Sequence, residues 1–162
     1  MEKKPKKLDG KLHAEVTSPI RLLIVDDRTP ARKGLRALLS VIGESISDQE
    51  RPSIVVVGEA SDGAQAIKIV AQQHPEVVLM DVRMPGLNGL ETMRLMKSYW
   101  PDLHIILISF YGVHRAEALE AGADGFLLKG CFPEELLQAI LAVRDLSTYK
   151  AALSRELSTR GD

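Results

Sequence analysis

Five short runs of this chain are apolar almost without interruption: Arg21–Val25 (RLLIV), Ser53–Val57 (SIVVV), Val77–Met80 (VVLM), Leu103–Ile108 (LHIILI) and Gly125–Leu128 (GFLL). A strand with one wet face alternates apolar and polar residues, so runs like these belong in a sheet covered on both faces. Amphipathic stretches separate them, at about Pro30–Ser40, Gly63–Gln73, Leu90–Tyr99, Val113–Ala121 and Pro133–Leu146. Strand and helix in strict alternation predict an α/β fold, a doubly wound parallel sheet of five strands with helices on both sides.

The boundaries carry the right punctuation. Thr29 can cap the first helix with Pro30 at its first position, and Asp62 can cap the second. Pro133 opens the last helix, with Glu134 and Glu135 favouring its positive end. Gly122 ends the fourth, and Pro75 and Pro101 stop helices just before strands. Two stretches are less regular. Residues 41–52 (VIGESISDQERP) form an extended connection, longer than the ~2–6 residues usual there, and read as a flexible insertion or an extra turn of helix. Residues 147–162 repeat apolar residues at helical spacing after Leu146, at Tyr149, Leu153 and Leu157, and read as a helical extension or linker.

Composition narrows the function. Aromatics are 4% of the 162 residues, so the core is aliphatic. Twenty-one Lys and Arg against 22 Asp and Glu leave a net charge of −1, which excludes a general nucleic-acid coat and predicts no direct nucleic-acid binding by this chain. The one cysteine, Cys131, cannot form an internal disulfide, and the four histidines have no metal-ligand spacing. The cysteine count suits a reducing cytoplasm. No apolar run reaches the ~18–20 residues of a membrane span. Residues 1–19, with Lys3, Lys4, Lys6, Lys7 and Lys11, read as a basic disordered arm.

The telling polar residues all stand where strands end. Asp26 and Asp27 follow the first strand, Asp81 the third, Ser109 the fourth and Lys129 the fifth. In a doubly wound sheet of order 2-1-3-4-5 those carboxyl ends share one edge, where ligands bind. Any one of them has an ordinary explanation, since an aspartate after a strand commonly caps the next helix. Their conjunction does not. Three converging carboxylates repel unless a cation joins them, and an oxygen-only ligand set selects a hard divalent ion such as Mg²⁺. With a lysine and a hydroxyl beside it, the set is equipped to bind a phosphoryl group next to a nucleophilic carboxylate.

LLIVDDRTPARKGLRALL at Leu22–Leu39, VVGEASDGAQAI at Val56–Ile67, VVLMDVRMPGLNGLE at Val77–Glu91 and ALEAGADGFLLKG at Ala118–Gly130 strongly resemble the receiver domain of bacterial two-component response regulators. The resemblance covers a receiver unit over residues 20–146 and is closest in flavour to the nitrate-response and quorum-sensing class, which implies a link to transcription regulation. It implies a flavodoxin-like (βα)5 fold. It also implies that Asp81 accepts a phosphoryl group from a sensor histidine kinase. Asp26, Asp27, Asp81 and the backbone carbonyl of Arg83 would serve Mg²⁺. Lys129 would pair with the phosphoryl oxygens, Ser109 would move toward them, and Phe126 would turn inward. The output would be a changed surface on the fourth helix, fifth strand and fifth helix, for a homodimer or a downstream protein.

Departures from the family pattern are visible. The segment from Ser109 to Gly122 is shorter than the family commonly shows, so the fourth helix or its loop must be altered. Gly130 replaces a common proline. The class usually carries a C-terminal helix-turn-helix, and residues 147–162 are too short for one, so no output domain is expected here. A phosphorylation-independent pseudo-receiver acting as an interaction module is the alternative, opposed by the intact polar set. A hydrolase of the haloacid dehalogenase type would need an acid two residues after its nucleophile, where this chain has Arg83.

Overall fold

The apolar runs pair as parallel strands in the computed structural model, which describes residues 18–45 and 51–145. The elements are β1 (Ile20–Val25), α1 (Thr29–Ser45), β2 (Ile54–Ala60), α2 (Gly63–Gln73), β3 (Val77–Asp81), α3 (Gly89–Tyr99), β4 (His104–Ser109), α4 (Arg115–Glu120) and β5 (Gly125–Leu128). A further helix, α5, covers residues 133–145. The sheet order is β2-β1-β3-β4-β5, as expected, and every pairing is parallel.

Side chains alternate across a strand, so an all-apolar strand supplies two cores at once. Leu23, Val25, Val78, Met80, Ile105 and Leu107 face one side, where Ala66 and Val70 of α2 and Met93 and Met96 of α3 cover them. Ile20, Leu22, Ile24, Val77, Leu79 and Ile106 face the other, under Leu39 and Ile42 of α1 and Leu136, Ile140 and Val143 of α5. Burying each such aliphatic side chain contributes roughly 1.5–3 kcal/mol, which makes the three central strands the rigid part of the molecule.

The structure corrects the sequence reading at several boundaries. β2 is an edge strand, half-exposed along most of its length rather than buried on both faces. It also runs past Gly58 to Ala60, because Glu59 and Ala60 pair with Ile24 and Val25 after a register shift between Leu22 and Leu23. Of the two readings of the long connection, the extra turn of helix holds for its first part: α1 continues to Ser45, drawn on by Ile42 in the core. Thr29 is not its cap. The Arg32 N–H bonds the Arg28 carbonyl at 3.2 Å, which puts Arg28 in the cap position, and the Thr29 hydroxyl accepts from the Arg32 side chain instead. Asp62 caps α2 as expected, accepting from the Gln65 N–H at 2.8 Å. The fourth helical stretch is a 3-10 turn at Gly112–His114 followed by only six residues of α4. The lysine-rich residues 1–17, residues 46–50 and the extension at 147–162 lie outside the described residues. Among those described, no helix is long and apolar enough to cross a membrane.

Asp124 ties the entry of β5 to the start of β4. Its carboxylate accepts from the Ile105 N–H at 2.8 Å and from Lys97 at 2.6 Å. Burial raises its pKa, but hydrogen bonds from His104, Lys97 and the Ile105 N–H outweigh that and bring it to about 2. A carboxylate with a depressed folded-state value stabilises above the unfolded value of 3.8 and loses that contribution as pH falls toward 2. Asp124→Asn should therefore lower stability by about 1 kcal/mol at neutral pH. In urea melts at stepped pH, the gap to the wild type should close between about pH 4 and pH 2; a gap independent of pH would contradict this assignment.

Candidate functional site: an acidic pocket at the carboxyl edge of the sheet

Parallel strands deliver their last residues to one edge, and register brings the polar ends together. Asp81 stands opposite Ile108, and Ser109 opposite Leu128. The Lys129 N–H bonds the Ser109 carbonyl at 2.8 Å, which extends the β4–β5 ladder by one residue and fixes where the lysine begins. The chain then reverses: the Cys131 N–H bonds the Leu128 carbonyl at 3.1 Å, and Gly130 takes φ +86°, a conformation that suits glycine at the third position of such a turn. Gly89 is needed for a different reason. A Cβ there would lie 2.1 Å from the Asp81 carbonyl oxygen, so only glycine lets the first turn of α3 rest on the end of β3.

Lys129 is the hinge of the electrostatics. Its ammonium lies 2.6 Å from Asp26 Oδ2 and 3.1 Å from Asp81 Oδ2, with both carboxylates almost fully buried. The other Asp26 oxygen accepts the Arg28 N–H at 2.9 Å, and the Asp26 carbonyl accepts from the Arg32 guanidinium at 2.7 Å. The Arg83 N–H donates to Asp81 Oδ1 at 3.3 Å. Burial pushes the Asp81 pKa up; Lys129 opposes this, and Asp26 adds to it, so the net direction is upward.

Asp27, half-exposed, completes the cluster, and one oxygen from each of Asp26, Asp27 and Asp81 lies within 4.8 Å of the others. Three carboxylates against one ammonium leave negative charge uncompensated, and every available donor atom is oxygen. That set fits a hard divalent cation such as Mg²⁺.

The remaining predicted residues are placed less uniformly. Ser109 is buried, with its Oγ accepting the Tyr111 N–H at 3.1 Å. Phe126 is packed in the core with Leu107 and Ala118 and does not line the pocket. Arg83 lines it, with its guanidinium 5.8 Å over the Tyr111 ring. Sequence reasoning missed Arg28, Phe110 and Tyr111, which wall the same cavity of about 220 Å³. Their signal was adjacency, since Phe110 and Tyr111 directly follow Ser109 and Arg28 directly follows Asp27.

Residues 22–141 match the model of the response regulator receiver domain, and the chain belongs to that family. Similar proteins are themselves named as response regulators. The nitrate/nitrite response regulator protein NarL of Escherichia coli is 38% identical over 124 residues, covering 75% of this chain and 53% of that protein. The response regulator UvrY of the same species is 37% identical over 135 residues, covering 82% and 58%. The chain thus spans little more than half the length of these relatives. Among solved structures, the signal receiver domain of the response regulator NarL from Mycobacterium tuberculosis superposes with a TM-score of 0.68 at 34% identity, covering 79% of this chain and 98% of that one.

Asp81 is a carboxyl with a raised folded-state pKa, so its ionisation weakens the fold at pH values above its titration and not below the ordinary value of 3.8. In metal-free buffer at pH 7, Asp81→Asn should raise the thermal midpoint by a few degrees, and saturating Mg²⁺ should raise the wild type's midpoint more than the variant's. Equal responses to Mg²⁺ would speak against the cluster as a cation site. Gly89→Ala should cost ~1–3 kcal/mol by overpacking against the Asp81 carbonyl, measured by denaturant unfolding; an unchanged midpoint would show that the contact relaxes freely.

Proposed function

We propose that this chain is a phosphorylation-switched receiver in which Asp81 takes a phosphoryl group from a phosphohistidine of a sensor kinase. The observation that carries the reading is the contact of one ammonium with Asp26 and Asp81 together, inside a cluster of three carboxylates. An Asp81 carboxylate oxygen forms the new P–O bond while the P–N bond to the kinase histidine breaks, and the imidazole leaves with a proton from solvent. The carboxylate must be ionised to attack, so its raised pKa sets an acid limit on the reaction. Asp26, Asp27, Asp81 and the Arg83 backbone carbonyl would hold Mg²⁺, which supplies charge neutralisation on the transferring oxygens when bound.

Lys129 lies close enough to Asp81 to turn its ammonium to the phosphoryl oxygens. The Ser109 hydroxyl accepts from the Tyr111 N–H and so keeps its own proton available to donate to them. Such contacts exist only in the phosphorylated form and would favour one arrangement of the α4, β5 and α5 face, with Phe126 packed inward beneath it. Exposed Leu119 and Leu128 suit that face to a second copy or a downstream protein in the cytoplasm. A further relative, 30% identical over 132 residues, is named the transcriptional regulatory protein DegU of Brevibacillus brevis, which points to transcription as the process served.

With acetyl phosphate and Mg²⁺, the wild type should acquire a slower band on a phosphate-affinity gel and Asp81→Asn should not. Lys129→Ala should label at least ~10²-fold more slowly, the scale on which one charge-stabilising donor acts. Labelling of Asp81→Asn as strong as the wild type would move the acceptor elsewhere. No labelling of either would favour a phosphorylation-independent interaction module.

A further inference from the structure

β2 gives no residue to the wall of the acidic pocket, yet it reaches the site through α1. The register shift between Leu22 and Leu23 carries β2 on beside the end of β1, so that Glu59 stands opposite Ile24 and Ala60 opposite Val25. There the Glu59 carboxylate meets two arginines of α1, with one oxygen 3.6 Å from Arg32 Nε and the other 2.9 Å from Arg36 Nε. Arg32 is the more enclosed of the two, its side chain 15% exposed against 51% for Arg36.

All three guanidinium nitrogens of Arg32 are engaged. Nη1 donates to the Asp26 carbonyl at 2.7 Å, Nη2 donates to the Thr29 hydroxyl at 3.1 Å, and Nε faces Glu59. A planar fork held at three points has one orientation, and the group it bonds is fixed with it. That group is the peptide joining Asp26 to Asp27.

Asp26 is tied at every polar atom. Its N–H bonds the Ala60 carbonyl at 3.1 Å, its carbonyl takes Arg32, and its two carboxylate oxygens take the Arg28 N–H and Lys129. Asp27 is held differently. Its carboxylate has no hydrogen bond or ion pair among the described residues, so the direction in which it leaves the chain is set by the peptide plane that Arg32 holds. The relative placement of two of the three clustered carboxylates thus passes through one guanidinium.

Charge and position make opposite demands on that group. As a charge behind the cluster, Arg32 repels a divalent cation. As an anchor it favours one, because Mg²⁺ demands near-ideal octahedral geometry and tolerates little displacement of its ligands. We infer that Arg32, oriented by Glu59, is a positioning residue for the Asp26–Asp27 pair and raises the affinity of the cluster for Mg²⁺. The inference rests on the reading of the cluster as a Mg²⁺ site.

The test is a calorimetric Mg²⁺ titration of the full chain without phosphodonor, well below the unfolding temperature. Arg32→Met keeps the aliphatic stem and removes the fork, and should weaken Mg²⁺ binding roughly tenfold or more, the scale on which outer partners of metal ligands act. Arg32→Lys keeps the charge and one donor for the Asp26 carbonyl, so its affinity should fall between those of Arg32→Met and the wild type. It also carries the test should Arg32→Met misfold. In the metal-free protein, the Asp26 carbonyl-carbon resonance should move upfield in Arg32→Met as its hydrogen bond is lost. A residue that only stabilised the fold would lower the unfolding midpoint and leave the Mg²⁺ affinity of the folded protein unchanged, and that result would overturn the inference. Tighter binding by Arg32→Met, or binding by Arg32→Lys equal to the wild type, would do the same, reducing Arg32 to a charge while the cation site stands. A wild type that takes up no Mg²⁺ would sink the cation reading of the cluster and this inference with it.

Discussion

The Lys129 ammonium, seated between the buried carboxylates of Asp26 and Asp81, is the contact on which the rest of this architecture depends. Two carboxylates side by side in a partly dry crevice repel and resist ionisation. Removing one partner of a buried ion pair leaves an uncompensated charge at a cost of ~3–5 kcal/mol, so the lysine holds the edge of the sheet together as well as marking its chemistry. It also fixes strand ends relative to one another. The residues directly after β1 and β5 and the last residue of β3 are joined through their side chains, although β4 lies between β3 and β5 in the sheet.

The site is stiff on one side and loose on the other. Asp26 directly follows β1 and Asp81 ends β3, strands whose apolar residues feed two cores that set their position. Gly89 locks α3 onto the end of β3. Past Ser109 the structure changes character: a 3-10 turn, a six-residue α4, and Val113 at 79% exposure. Few buried apolar groups hold that segment, which is where local rearrangement is least expensive. In the proposed function, a charge added at the rigid edge would act on this loose segment rather than on the sheet.

Much of this was legible in the residues because the physics is local. An all-apolar strand has few alternatives to burial on both faces, and the carboxyl ends of parallel strands have nowhere to go but one edge, so Asp26, Asp27, Asp81, Ser109 and Lys129 could be brought together before any coordinates. What failed to show was set by tertiary contact. β2 extends through Glu59 because a register shift lets it continue beside β1, with Glu59 exposed enough to pair with Arg36 at 2.9 Å. For α1, the sequence left an insertion and an extra turn of helix open, and Ile42 reaching the core decides for the helix. Arg28 and not Thr29 takes the cap position because its carbonyl accepts the first bond of the helix, from the Arg32 N–H. Phe110 and Tyr111 read as ordinary apolar residues until the fold turns them over the pocket.

Membership of the receiver family and the placement of the acidic cluster agree, and the decisive quantity is the coupling between Lys129 and Asp81. It is most directly measured by following the Asp81 side-chain carboxyl carbon by NMR through a pH titration of the metal-free wild type and of Lys129→Met. The account predicts a wild-type midpoint above the ordinary aspartate value of 3.8 and a further upward displacement when the ammonium is removed. A midpoint at or below the ordinary value, or one that does not move in Lys129→Met, would contradict it.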